Sequence, residues 1–150
     1  MQRSRFSIAS VVTVVVLTLA CIVPPVAQGQ QRLSDHDVEA LLNNLKSDAN
    51  KFRSSFNSAV GKSTIRKTSQ EKDAKNLVQD FKKQSEATLN KFKKDRRIDT
   101  ELPALLNTGS QIDKLLMATP MGDQANADWS KVRTELDGVA KQFNMDFPPK

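Results

Sequence analysis

From Val38 to Phe143 the apolar residues of this chain recur at steps of three and four, in four runs separated by glycine, proline and clusters of charge. A stripe that repeats every 3.6 residues occupies one face of an α-helix and has to be hidden from water against another element. Four stripes in one short chain satisfy each other by facing a common core. The alternation of apolar and polar residues that marks a strand is absent, and the valines beyond residue 29 sit at helical spacing. The expected fold is all-α: an up-down-up-down four-helix bundle, with helices over about 35–60, 69–96, 101–118 and 124–144.

The ends of each run carry the chemistry that starts and stops helices. Ser34 is a good N-cap, and Asp35, Asp37 and Glu39 follow where the helix dipole favours acids. The first stripe is Val38, Leu41, Leu42, Leu45, Ala49, Phe52, Phe56 and Val60, and Gly61 is expected to stop it as a left-handed C-cap. After a polar, basic loop over Lys62–Lys67, Thr68 and Glu71 have capping-box spacing. Ala74, Leu77, Val78, Phe81, Leu89 and Phe92 form the second stripe, which fades into a cationic end. The third opens near Thr100, tolerates Pro103 in its first turn and stops at Thr119-Pro120. Gly109 in its middle implies a close neighbour or a slight bend. Asp123 or Asn126 is expected to cap the fourth, whose stripe is Trp129, Val132, Leu136, Val139, Ala140 and Phe143. The tightest core positions are expected at Leu41, Leu45, Phe52, Phe81, Leu105, Leu115, Trp129 and Leu136. Met117, Met121 and Trp129 read as core-capping residues at one bundle end, or as an adaptable patch for a ligand or partner helix.

Residues 1–29 read differently. Arg3 and Arg5 precede an apolar run from Ile8 to Val23, Pro24-Pro25 breaks it, and the small residues Ala27 and Gly29 follow. This is the order of a secretory signal peptide, with cleavage expected after Gly29 and a mature chain beginning at Gln30. Two rivals stay open. The apolar stretch is about long enough for an uncleaved membrane anchor, and Cys21 raises a lipoprotein, although Thr18 stands where a branched aliphatic residue belongs. The mature chain, 121 residues from Gln30 to Lys150, has the length of one domain. It lacks cysteine, so an exported domain of this sequence is held by its apolar core and not by disulfides.

The residues set limits on chemistry. The single histidine, His36, lies in the first turn of the first helix, and no Glu-x-x-His pair exists for a di-iron site. Covalent haem attachment and a Cys-His nucleophile both need cysteine, and a Ser-His-Asp set has only this peripheral histidine to draw on. The five glycines are isolated, so no phosphate-cradling loop is formed. No cofactor, metal site or catalytic residue is expected, and the chain reads as non-enzymatic.

One asymmetry remains. The mature chain carries 21 basic and 17 acidic residues, yet Lys62–Arg97 alone carries 12 basic against 5 acidic. At 100° per residue Lys72, Lys75, Lys83, Lys93, Lys94 and Arg97 fall opposite the apolar stripe. Such a row either keeps the domain solvated or meets an anionic lipid or polymer surface. Aromatics that would stack on bases are missing from it, which argues against nucleic acid.

Leu33-Ser34-Asp35-His36-Asp37-Val38-Glu39-Ala40-Leu41-Leu42, the Phe52-x-x-x-Phe56 step and Asp128-Trp129-Ser130-x-Val132-x-x-x-Leu136 together resemble a family of small, uncharacterised exported helical proteins of bacteria. The resemblance spans most of the mature chain and rests on packing and capping residues. It implies a helical fold, transfers no catalytic residue, and differs from the periplasmic chaperones whose Leu-Thr-x-x-Gln repeats are absent here. The expectation is an exported interaction or structural module, periplasmic or extracellular, whose partner is a protein or envelope component. The alternatives are a binder of anionic surfaces through the second helix and a small-ligand carrier using the bundle interior.

Overall fold

Each apolar run becomes a helix in the computed structural model, which describes residues 33–149. The helices are α1 (Asp35–Val60), α2 (Ser69–Asp95), α3 (Glu101–Ala118) and α4 (Asp123–Gln142), and no strand occurs among the described residues. The signal segment expected at residues 1–29 lies outside them. None of the described helices is long and apolar enough to cross a membrane.

The helices pack as a bundle in which each touches its sequence neighbours and α1 also meets α4. The α1–α4 interface is the most extensive and α3–α4 the thinnest, and across the diagonals the backbones stay apart, so that only side chains meet there. The axis is filled by aromatic rings. Trp129 sits 4.9 Å from Phe52 and 5.4 Å from Phe81, and Phe52 lies 5.7 Å from Phe56, all tilted or edge-on as ring quadrupoles prefer. Each ring removed from water contributes about 2–3 kcal/mol. Ser85 and Thr88 share this interior because their hydroxyls donate to the carbonyls of Lys82 and Gln84, so neither hydroxyl is left without a partner.

Most of the expected stripe positions are buried, with Leu41 and Leu115 the exceptions among the expected tight positions: both are half-buried at the edges of their stripes. The Met117–Met121–Trp129 group divides, for Met121 and Trp129 are in the core while Met117 projects into solvent at 79% exposure. The largest departure is in the connections. Ile65, Ile98 and Met121 each sink a side chain into the core from between helices. The loop over Lys62–Lys67, expected to be polar throughout, is therefore pinned at Ile65.

The helix ends are corrected in detail. Ser34 caps α1 as expected, its Oγ accepting from Asp37 N–H at 3.2 Å and donating to the Asp37 carboxylate at 2.6 Å. Gly61 is not left-handed; its φ of −64° continues as right-handed turns, and the left-handed residue is Lys67, φ 62°. The Thr68–Glu71 capping box is not made. Thr68 Oγ1 donates to the Ile65 carbonyl of that turn instead of capping, while the Glu71 carboxylate reaches back to the Lys67 N–H. Neither Asp123 nor Asn126 caps α4: Gly122 holds the N-cap position at φ 80°, a backbone region that glycine enters freely. The second helix stops at Asp95 and the fourth at Gln142, slightly short of expectation.

Gly109 does mark a close approach. A methyl group there would lie 2.9 Å from Leu136 Cδ1 on α4 and 3.2 Å from the Phe147 ring. Phe147 belongs to the segment after α4. Met145 and Phe147 pack against the core from that segment, Phe147 on Gly109 of α3. What reads as a short tail is thus part of the packing.

Candidate functional site

Because Ala74, Val78, Phe81, Leu89 and Phe92 are buried, the opposite face of α2 has to look outward. Lys72, Lys75, Lys83, Lys93 and Lys94 are all exposed on it or on its flanks. They are not equivalent. Lys75 Nζ is 2.6 Å from Glu71, Lys83 is 3.8 Å from Asp80, and Lys93 is 3.7 Å from Glu39 of α1. Lys72 and Lys94 have no carboxylate within ion-pair distance among the described residues. Lys72, Lys83 and Lys94 are spaced eleven residues apart, so they share an azimuth and stand about 16 Å apart along the helix.

Arg97 is placed differently from expectation. The helix ends at Asp95, and Arg96 adopts a left-handed conformation, φ 55°, that turns the chain before Arg97. The 100° arithmetic stops at that turn. Arg97 instead lines a cavity of about 340 Å³ at the bundle end, with Asp35, Val38, Phe92 and Asp99. Sequence arithmetic that follows only cations also misses the amides. Asn76 and Asn90 are exposed on the same azimuth as the three lysines, and counting 100° steps for all polar residues would have found them.

The edge of the row is tied to α1. Arg96 lies with its guanidinium 5.5 Å from the centre of the Phe92 ring and donates to Glu39 Oε2 at 3.0 Å. That hydrogen bond, with help from Lys93, holds the Glu39 carboxyl below its ordinary value. Glu71 is likewise held low by Lys75 and by the Lys67 N–H, and Asp95 by Lys91. These acids therefore stay ionised and partly neutralise the flanks, while on the central line Lys83 has Asp80 beside it and Lys72 and Lys94 stand without a paired carboxylate among the described residues.

His36 is exposed in the first turn of α1, 3.9 Å from Asp37. Among the described residues no three His, Cys, Asp or Glu side chains are grouped so as to hold a metal ion.

No protein-family model, curated protein or solved structure matches this chain.

Proposed function

We propose that the chain is an exported, non-enzymatic interaction module of the cell envelope or exterior, an up-down-up-down bundle that meets an anionic lipid or polymer surface with the outer face of α2. The observation that carries this reading is the line of Lys72, Lys83 and Lys94, exposed and evenly spaced, with Asn76 and Asn90 on the same azimuth and Asp80 3.8 Å from the middle lysine alone. Export is inferred from the signal-like order of residues 1–29. The aromatic filling of the bundle axis favours an external contact surface over a carrier that uses the interior.

The attraction is electrostatic. The apolar face of α2 is spent in the core, so nothing on the outer face is available to insert into acyl chains. Contact of this kind weakens steeply with salt, because the screening length falls to about 10 Å at 0.1 M.

The test starts from the full-length chain expressed with its own leader. An exported product beginning near Gln30 is expected; an unprocessed product retained inside the cell overturns export. Purified protein is then titrated with phosphatidylglycerol vesicles and, separately, with heparin as a soluble polyanion. Binding that is lost by 0.5 M NaCl and by the triple change Lys72→Gln, Lys83→Gln, Lys94→Gln supports the surface. Equal binding by the triple variant removes it, and the preferred probe tells lipid from polymer.

A further inference from the structure

The extensive seam between α1 and α4 contains two carboxylates from α4 whose surroundings differ. Asp128 is buried and well supplied: Gln124 Nε2 donates to it at 3.0 Å, and this bond, with Ser55 and the nearby Lys131 and Lys51, holds its carboxyl below the ordinary value. Glu135, two turns further along α4, is not. Its Oε2 is shut off from solvent and has no hydrogen-bond partner. The group that faces it from α1 is Asp48, whose own Oδ1 is 2.6 Å from Lys51 Nζ. Lys51 is spent on Asp48 and reaches Glu135 only through space. On the α3 side the charged groups pair with each other, Arg133 Nε standing 3.3 Å from Asp113 Oδ2.

Two carboxylates facing across a desolvated seam are two acceptors with nothing between them. A buried oxygen left in that state is costly, and so is the repulsion between like charges. One proton removes both problems, because a carboxyl donating to a carboxylate is a strong charge-assisted hydrogen bond. Lys51 Nζ already stands 2.6 Å from Asp48, whereas Glu135 Oε2 has no donor, so the proton resides on Glu135.

We propose that this shared proton clasps α1 to α4, so that the seam is tight while Glu135 is protonated and loosens when the proton leaves. Burial first, and then the charge of Asp48, push the Glu135 carboxyl up to about 7 from an ordinary 4.5. The sign follows. Below about 4.5 the group is protonated folded or unfolded and contributes no pH dependence. Between 4.5 and 7 the folded chain keeps a proton that the unfolded chain has lost, so stability falls as pH rises. Above 7 the loss is complete. A protein exported to surroundings of variable pH would carry a bundle whose longest interface loosens towards neutrality and beyond.

The test is thermal unfolding of the purified protein, followed by circular dichroism at pH 5 and pH 8. The wild type is expected to melt lower at pH 8, by about 3–6 °C. Glu135→Gln, which supplies a permanent donor to Asp48, is expected to show no such drop. A wild-type midpoint that is unchanged between the two pH values, or a Glu135→Gln variant that keeps the full drop, overturns the clasp. Should the variant fail to fold, the carboxyl carbon resonance of Glu135 in the wild type decides. A titration midpoint near 7 supports the shared proton, and one near 4.5 overturns it.

Discussion

The indole Nε1–H of Trp129 donates to Asp113 Oδ1 at 2.7 Å, joining α4 to α3 from within the core. Both side chains are buried, and the second oxygen of Asp113 meets Arg133 at the edge. The α3–α4 interface is the thinnest of the bundle, so this polar tie acts where apolar packing is least.

Removing the acceptor should therefore be costly. Asp113→Ala leaves a buried indole N–H and a guanidinium without their partner, with an expected loss of about 1–3 kcal/mol. Asp113→Asn keeps one acceptor oxygen for the indole and should lose less. Urea unfolding followed by Trp129 fluorescence measures both. If Asp113→Ala unfolds at the wild-type urea concentration, the indole finds another acceptor and the tie contributes nothing.

Two helical glycines should respond to alanine with opposite signs. At Gly138 on α4 an added methyl meets nothing within 4 Å. There the substitution should stabilise by about 0.5–1 kcal/mol through helix propensity and a less flexible unfolded chain. At Gly109 the methyl would press on Leu136 Cδ1 at 2.9 Å and on Phe147 at 3.2 Å, and Leu136 is wholly buried and has no room to withdraw. A net loss of about 1–3 kcal/mol is expected, the cost of overpacking exceeding the propensity gain. Phe147→Ala should relieve part of the crowding, so the double variant should be more stable than the sum of the single changes implies. Additive values would show that Phe147 does not press on Gly109.

How far the fold could be read beforehand follows from what periodicity can and cannot register. The helical stripes carried the four elements and the aromatic core, because Phe52, Phe81 and Trp129 all lie on clean 3.6-residue patterns. Ile65, Ile98 and Met121 were invisible to that signal, since a lone apolar residue in a short connection has no period. Ser34 caps α1 as its sequence position implies, but the caps of α2 and α4 depart from expectation for a related reason. Thr68 has a hydroxyl at the right place in sequence, but the preceding turn offers it the Ile65 carbonyl. At Gly122 the backbone conformation, and not a side chain, sets the helix start. Of the candidate surface, the lysines on α2 were found by angle counting, whereas Arg97 was misplaced because nothing in the composition announces the left-handed turn at Arg96. The acid pair across the α1–α4 seam was missed altogether. Glu135 and Asp48 are ordinary surface-type residues in sequence, and only the approach of two helices makes them neighbours.

The carboxylates of Glu39 and Glu135 should shape the pH profile from opposite sides. Glu39 is held low by Arg96, so its contribution is present above its ordinary value of 4.5 and is lost as pH falls through the lower folded value. Glu135 is raised, so its penalty is absent below 4.5 and grows as pH rises towards about 7. The two together place the stability maximum on the acid side of neutrality, near pH 5, instead of on a plateau reaching pH 8. The two contributions separate by substitution and by salt. Glu39→Gln should lower the melting temperature at pH 6, and the difference should shrink as pH falls and the wild-type carboxyl takes up its proton. The difference at pH 6 should shrink in 0.5 M NaCl, since the Glu39–Arg96 pair is half open to water. Glu135→Gln should leave that acid limb untouched and flatten the alkaline one. If the profile of Glu39→Gln runs parallel to the wild type from pH 2 to pH 6, the Glu39–Arg96 bond does not tie α1 to α2 in solution.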